Sequence, residues 1–277
     1  MGWEQFALPS KVLTKPKISK VNELAAIIDE NGEIHLPHGA TTPQLTLFRA
    51  PTDNDRIGYL ATKWQRWGVD QLHRSSVKVV RAKSATTIKT VWETSAGISI
   101  KHTQIVEPIV AGLRVTETVT IPKILDDLGR IGTTFELHGE MDQLEYFGAG
   151  PHESYPDRRI GKIHRWQSKV SEQYVPYVRP QENGGHNGVR WFSLTGPAGE
   201  KLQIRLGKPS QVSVVPHRAA DIATATHDVE LKASGNVVIT IDSAHRGIGT
   251  ASCGPDTLPK YRIKPGVHTW SWTLLVE

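Results

Sequence analysis

Between Arg179 and Trp191 the sequence reads RPQENGGHNGVRW. Glu182, Asn183, His186 and Asn187 place a carboxylate, two amides and an imidazole within six residues. These groups donate and accept hydrogen bonds together, which suits the hydroxyls of a sugar. Gly184, Gly185 and Gly188 permit left-handed backbone and a segment that swings. A long hairpin connection that needs glycine for shape alone is the competing reading, and both stand at this level.

Two further stretches interrupt the surrounding pattern with polar residues and glycine. YFGAGPHESYPDRR (146 to 159) contains Glu153 and Asp157. Glycoside hydrolysis uses two carboxyl groups about 5–9.5 Å apart. Here Arg158 and Arg159 sit beside Asp157, and Pro151 and Pro156 stiffen the turn, so a network of ion pairs is the better expectation. SAHRGIGTASCGPDTLPKYR (243 to 262) carries Cys253, the only cysteine. A thiol nucleophile needs an adjacent base. His245 lies eight residues away with nothing to place it, so a small packed side chain is expected. No Ser-His-Asp spacing, phosphate-cradling glycine motif or paired histidine ligands occur.

The elements that position these stretches are read from period. SVKVVRA, ATTIKTVWET, ISIKHTQIVE and LRVTETVTI alternate apolar with polar residues and are rich in β-branched side chains, which predicts strands. IGTTFELHG, LEYFGAG, WFSLTG, KLQIRLG, QVSVVPH, VVITIDSA and the C-terminal run continue the pattern. Asn31-Gly32 marks a hairpin turn. Leu60, Trp64 and Trp67 recur at helical spacing with Gly68 as the stop, and PHRAADIATATH holds a short helical turn. A dozen alternating strands with one or two short helices predict an all-β, large antiparallel sandwich or barrel. No repeat marks a propeller.

The 277 residues allow a sizeable core, and the net charge is +5. Lysine and arginine are scattered among acids rather than gathered on one stripe, which argues against a nucleic-acid partner. One cysteine excludes an internal disulfide and a thiolate zinc cluster. The N-terminal residues lack a signal-peptide pattern, and no apolar run approaches membrane-spanning length. The expectation is a cytoplasmic protein with no membrane partner.

FRAPTDND, GAGPHESYPDR, YVPYVRPQENG, SAHRGIG and CGPDTLPKY occur in this order along nearly the whole chain. The set resembles the C-terminal region of bacterial β-galactosidases of glycoside hydrolase family two, which in some members is a separate small chain. The resemblance implies a galactose mutarotase-like supersandwich over 17–277. It also implies that residues 1–16, with WEQFALP, are the end of a preceding immunoglobulin-like domain or a linker. It assigns no catalytic residue to this chain, because the family's two glutamates belong to an upstream (β/α)8 barrel. It implies a mobile substrate-cleft loop containing Glu182, Asn183, Gly184, Gly185, His186 and Asn187. Cys253 and Gly254 fall at the substrate rim, where some relatives carry a tryptophan, and the sequence here offers a smaller contact. Ser154 stands where many relatives have asparagine and is expected to be structural. No cofactor is assigned, since the magnesium and sodium ligands of complete enzymes come mainly from other domains. The implied partners are the remaining domains with their barrel, a galactoside substrate and an oligomeric assembly. The implied function is completing the cleft for hydrolysis of terminal β-D-galactosides of the lactose type, the isolated chain being inactive. Two alternatives are carried: an aldose 1-epimerase-like isomerase drawing on His217, His227 or His245, and a non-catalytic carbohydrate-binding or assembly module.

Overall fold

A computed structural model describes residues 27–110, 112–249 and 256–276. The expected domain boundary at residue 16 and the candidates Cys253 and Gly254 lie outside the described residues. Twelve strands are named among those described: β1 (Gln44–Thr46), β2 (Leu72–Arg81), β3 (Thr86–Thr94), β4 (Ser99–Ile109), β5 (Gly112–Ile121), β6 (Arg130–His138), β7 (Gln143–Gly150), β8 (Lys162–Lys169), β9 (Gly185–Thr195), β10 (Lys201–Val215), β11 (Asn236–His245) and β12 (Gly266–Val276). Three short helices join them: α1 (Asp53–Ile57), α2 (Leu60–Trp67) and α3 (Ala219–Thr224). The structure is therefore nearly all-β and antiparallel, as the period-two reading predicts.

The strand order is β1-β6-β11-β10-β12-β5-β4-β3-β2, with β9 also on β10 and β7 and β8 extending from β9. Strand β10 makes this branch possible. Its first half pairs β12 and its second half pairs β11, with register shifts between Arg205 and Val212 on the β9 side. Gly207 and Pro209 sit at that bend, where a residue without Cβ and one without N–H interrupt a ladder at least cost. The sequence reads these halves as two strands; they are one bent strand.

Alternation makes β1, β6, β11 and β10 two-faced. On one face Leu45, Thr133, Ile241 and Val212 stand in register, followed by Phe135, Ile239 and Val214. All but Thr133 are apolar, and they belong to the single hydrophobic core. On the other face Gln44, Thr134, Thr240 and Ser213 stand in register. That polar row is covered at its β11 and β10 end: Thr240 and Ser213 are buried although hydrophilic, while Thr134 is half-buried and Gln44 exposed.

Strand β5 buries Leu113, Val115, Glu117, Val119 and Ile121 on one side. Glu117 is the exception to this apolar stripe and is fully buried. It accepts from Trp272 Nε1 at 2.6 Å, from Gln104 Nε2 at 3.3 Å and from the Thr133 hydroxyl, and His102 Nε2 lies 3.0 Å away. Trp92 Nε1 donates to His102 Nδ1 at 3.4 Å, which leaves Nε2–H to face the carboxylate. A buried carboxylate is tolerable only with such a set of donors. One side chain thus ties β5 to β4, β6 and β12.

Helix α2 forms where Leu60, Trp64 and Trp67 predict it, and Gly68 ends it with φ 63°. Trp64 is buried and donates to the Asp127 carbonyl at 2.8 Å. The Asn31-Gly32 turn also forms: Gly32 has φ 72°, and Ile28 bridges Ile34 across it.

Candidate functional site: a polar rim where four motif segments meet

Four segments far apart in sequence meet at one end of the sheet. Thr52 caps α1, its hydroxyl accepting from Asp55 N while Asp55 accepts from Thr52 N. The Asp53 amide donates to Gln181 Oε1 at 3.1 Å, and Arg56 Nη2 to the Pro180 carbonyl at 3.4 Å. These contacts join FRAPTDND to RPQENG. Glu153 accepts from Tyr177 OH at 2.6 Å, Arg158 Nη1 at 2.8 Å and the Gly184 amide at 3.0 Å. Asp157 accepts from the amides of Ile248 at 3.0 Å and Gly249 at 2.9 Å. The acid pair of PHESYPDRR therefore clamps the two other loops. Between the segments lies a cleft of about 630 Å³, lined by Asn54, Asp157, Tyr177, Gln181, Glu182 and Ile248 among others. Ile57, Tyr59, Ile160 and Val178, from these same segments, are largely exposed.

A chain of buried ions underlies this rim. Arg130 Nη2 donates to Glu182 Oε1 at 2.9 Å, and Arg130 Nε lies 2.9 Å from Asp242 Oδ1. His245 Nε2 is 3.5 Å from Glu182 Oε1. Arg49 pairs with Asp55 at 2.8 Å. Arg246 pairs with Asp127 at 2.9 Å and Asp256 at 2.6 Å, and Arg262 reaches Asp256 at 2.9 Å. Burial works to raise the Glu182 pKa, but the Arg130 guanidinium, helped by His245 and Arg49, overcomes it and holds the carboxyl at about 2. Asp242 goes the other way: burial raises it, only partly offset by Arg130. Burial, then the charges of Glu182 and Glu153, keep the Tyr155 hydroxyl well above its usual value.

The sequence candidates over 182–187 do not share one cavity. Glu182 lines the rim cleft and also borders a second cavity on the polar sheet face. Asn183 borders that second cavity, its amide accepting from Val175 N and donating to the Gln181 carbonyl. Gly184 and His186 line a third cavity, and Asn187 a fourth. In the structure this segment is packed. Gly185, His186 and Asn187 already belong to β9, with Gly185 opposite Ser213 and His186 opposite Val212. His186 is buried against Tyr146, with Nδ1 3.1 Å from both the Tyr146 hydroxyl and the Ala149 carbonyl. Burial lowers its pKa to about 4. Gly184 has φ 70°, and a Cβ there would stand 2.5 Å from the Gln173 carbonyl. Glycine is required for that conformation and that approach. Ser154 has the structural role expected of it: its hydroxyl accepts from Asn187 N at 2.9 Å and its carbonyl from Gln211 Nε2 at 2.8 Å. Of the histidines considered for isomerase chemistry, His217 lines the sheet-face cavity, His245 lines the cavity shared by Asn187, and His227 is exposed.

Sequence reasoning did not single out Arg49, Asp55, Asp127, Arg130 or Asp242. Arg49 and Asp55 lie inside a motif already quoted. Arg130 and Asp242 belong to strands, and nothing in a strand pattern marks a residue as ion-paired. Among the described residues no group of three or more His, Cys, Asp or Glu side chains could hold a metal ion. No helix among them is long and apolar enough to cross a membrane.

Fold and rim define a class: an antiparallel β domain whose motif segments build a cleft wall, with its carboxylates held by arginines and backbone amides. The chain matches the family model described as "Beta galactosidase small chain" over residues 18–274, and it belongs to that family. It is 31% identical over 82% of its length to a β-galactosidase of Arthrobacter sp. (strain B7), covering 25% of that protein. It is 27% identical over 95% of its length to a β-galactosidase of Priestia megaterium, covering 28% of that protein. The chain thus spans about a quarter of the length of these relatives. It is also similar to a galactose mutarotase-like protein from Lactobacillus casei, with a TM-score of 0.37, 11% identity and 73% of each chain covered.

Proposed function

We propose that this chain is the C-terminal part of a β-galactosidase and completes the substrate cleft for hydrolysis of terminal β-D-galactosides of the lactose type. The acids that break the glycosidic bond lie on the rest of the enzyme. The convergence of four distant motif segments around one cleft carries this reading. The carboxylates there support a wall rather than a reaction centre: Glu153, Asp157, Asp55 and Glu182 are each engaged by an arginine or by backbone amides. Two carboxyl groups acting on a glycoside need one to hold a proton and the other to reach the sugar. Glu182 held at about 2 and locked on Arg130 serves neither end.

The exposed Ile57, Tyr59, Ile160 and Val178 around the cleft are the surface on which the remaining domains, the catalytic barrel among them, would seat. The function of the wall is positioning, because small displacements near a reacting centre cost large factors in rate. Magnesium and sodium sites are assigned to those other domains, since the rim carboxylates already have cationic or amide partners.

The test uses the purified chain and a chromogenic β-galactoside. The chain alone is expected to give no turnover above background, and adding the complementary large fragment of a family member is expected to restore it. Turnover by the chain alone, abolished by a substitution within it, refutes the proposal.

A further inference from the structure

Charge is left over unevenly on the segments that build the rim. Across 52–59, 153–160 and 177–182 every carboxylate is engaged from within the chain. Asp53 pairs with Arg56 at 3.3 Å and Asp55 with Arg49. Glu153 is held by Arg158, Asp157 by backbone amides and Glu182 by Arg130. Two guanidinium groups remain. Arg159 and Arg179 are exposed, and neither has a carboxylate partner among the described residues. Arg159 Nε donates to the Pro156 carbonyl at 2.8 Å, which leaves its charge unanswered. Arg179 stands close enough to Arg56 for their like charges to oppose: burial, and then Arg179, lower the Arg56 pKa. The unmatched charge of this surface is therefore all positive.

Apolar side chains lie among these cations. Ile57, Tyr59, Ile160 and Val178 are 78 to 87% exposed. Their segments are held side by side, because Arg56 reaches the Pro180 carbonyl while Tyr177 and Arg158 share one oxygen of Glu153. Tyr59 is also strained. Its φ is 61°, a left-handed conformation that suits glycine and costs any residue with a Cβ. A large aromatic held there and turned to solvent does little for its own fold, whereas Tyr and Arg are the residues that most often anchor protein interfaces. The chain spans about a quarter of the length of its relatives, so most of such an enzyme lies outside it. A second copy of the chain fits poorly here, since a two-fold contact would set a cationic patch against itself. We propose that the remaining domains seat on this patch with an apolar surface edged by carboxylates, which Arg159 and Arg179 receive while Tyr59 anchors the centre. The inference rests on the reading of the chain as part of a β-galactosidase, and adds the chemistry of the partner surface.

The experiment measures association of the full chain with the Arthrobacter β-galactosidase truncated to remove the matched region. Calorimetry supplies the affinity, and turnover of a chromogenic β-galactoside is read in parallel. Raising salt from about 50 to about 500 mM should weaken association about tenfold. Arg159→Glu and Arg179→Glu should each weaken it about tenfold at the lower salt, whereas Arg205→Glu, at an exposed position on β10, should leave it unchanged. Tyr59→Gly should weaken it about tenfold as well, yet melt no lower than the parent, because glycine takes the left-handed backbone freely. Melting shows that each variant is folded. Restored turnover with an affinity indifferent to salt and to both charge reversals overturns this inference and leaves the proposed function standing. Absence of any association by the parent chain at low salt refutes both. A dimer of the chain in ultracentrifugation that Val178→Ser disperses also overturns the inference, because a second copy is then the occupant.

Discussion

Replacing His186 with glutamine should flatten the acid limb of the stability curve. In the folded chain this imidazole is buried on β9 and its pKa is about 4, against an ordinary 6.5. The unfolded chain takes up a proton once the pH falls below about 6.5, and the folded chain refuses it until about 4. Within that window the unfolded state binds more protons, so stability falls as pH falls. A gap of about 2.5 pH units at about 1.36 kcal/mol each gives roughly 3 kcal/mol. Glu182 has a lower window. Its carboxyl contributes stability that is complete above the ordinary 4.5 and is lost as pH falls toward 2. Asp242, with a raised pKa, works in the opposite sense. The His186 contribution is therefore read as a difference between the parent chain and His186→Gln, in which the carboxylates cancel. Urea unfolding followed by tryptophan fluorescence, in steps from about pH 7 to about pH 4, supplies the two curves. The parent should lose about 3 kcal/mol more than the variant across this range. Parallel curves would refute the assignment of His186 as a neutral, buried side chain.

Glu117→Leu should cost about 3–5 kcal/mol, because it strands the donors of Trp272, Gln104 and Thr133 in the core. Calorimetry should then show melting lowered by roughly 10 °C, and a shift of a degree or less would count against the network. Gly184→Ala should destabilise by more than about 1 kcal/mol, since the position combines φ 70° with a backbone oxygen 2.5 Å from the new methyl group. If the change proves neutral in urea titration, the swinging-loop reading of this segment regains ground.

The strands were legible because their period is simple. LRVTETVTI, VVITIDSA and IGTTFELHG alternate cleanly, and each is found where expected. Strand β8, KIHRWQSK, was missed because both its faces are half-buried at most and its ends are exposed, so nothing apolar alternates. Helix α2 was legible through Leu60, Trp64 and Trp67 together with the Gly68 stop. The site was legible only as a set of segments. Their polar and glycine content marked them, but their partners lie across the fold: Glu153 on Gly184, Asp157 on Gly249, Arg130 on Glu182. The glycines of RPQENGGHNG left shape and motion undivided, because tight approach and free motion demand the same residue. Glu117 carried a signal that could have been used, as it is the only charged residue in the apolar phase of its strand.

The two-faced strands β6, β11 and β10 have a consequence for how the chain finds its alignment. In an ordinary half-solvated sheet a one-residue slip offends one side only, the side that loses its oil. Here both sides of β11 and β10 are enclosed, so a slip would push Thr240 and Ser213 into the hydrocarbon interior and turn Ile239 and Val214 to the polar face. Misalignment is penalised twice over. The price is paid in advance as polar groups enclosed at the heart of the molecule, and it secures a floor stiff enough to carry everything built above it.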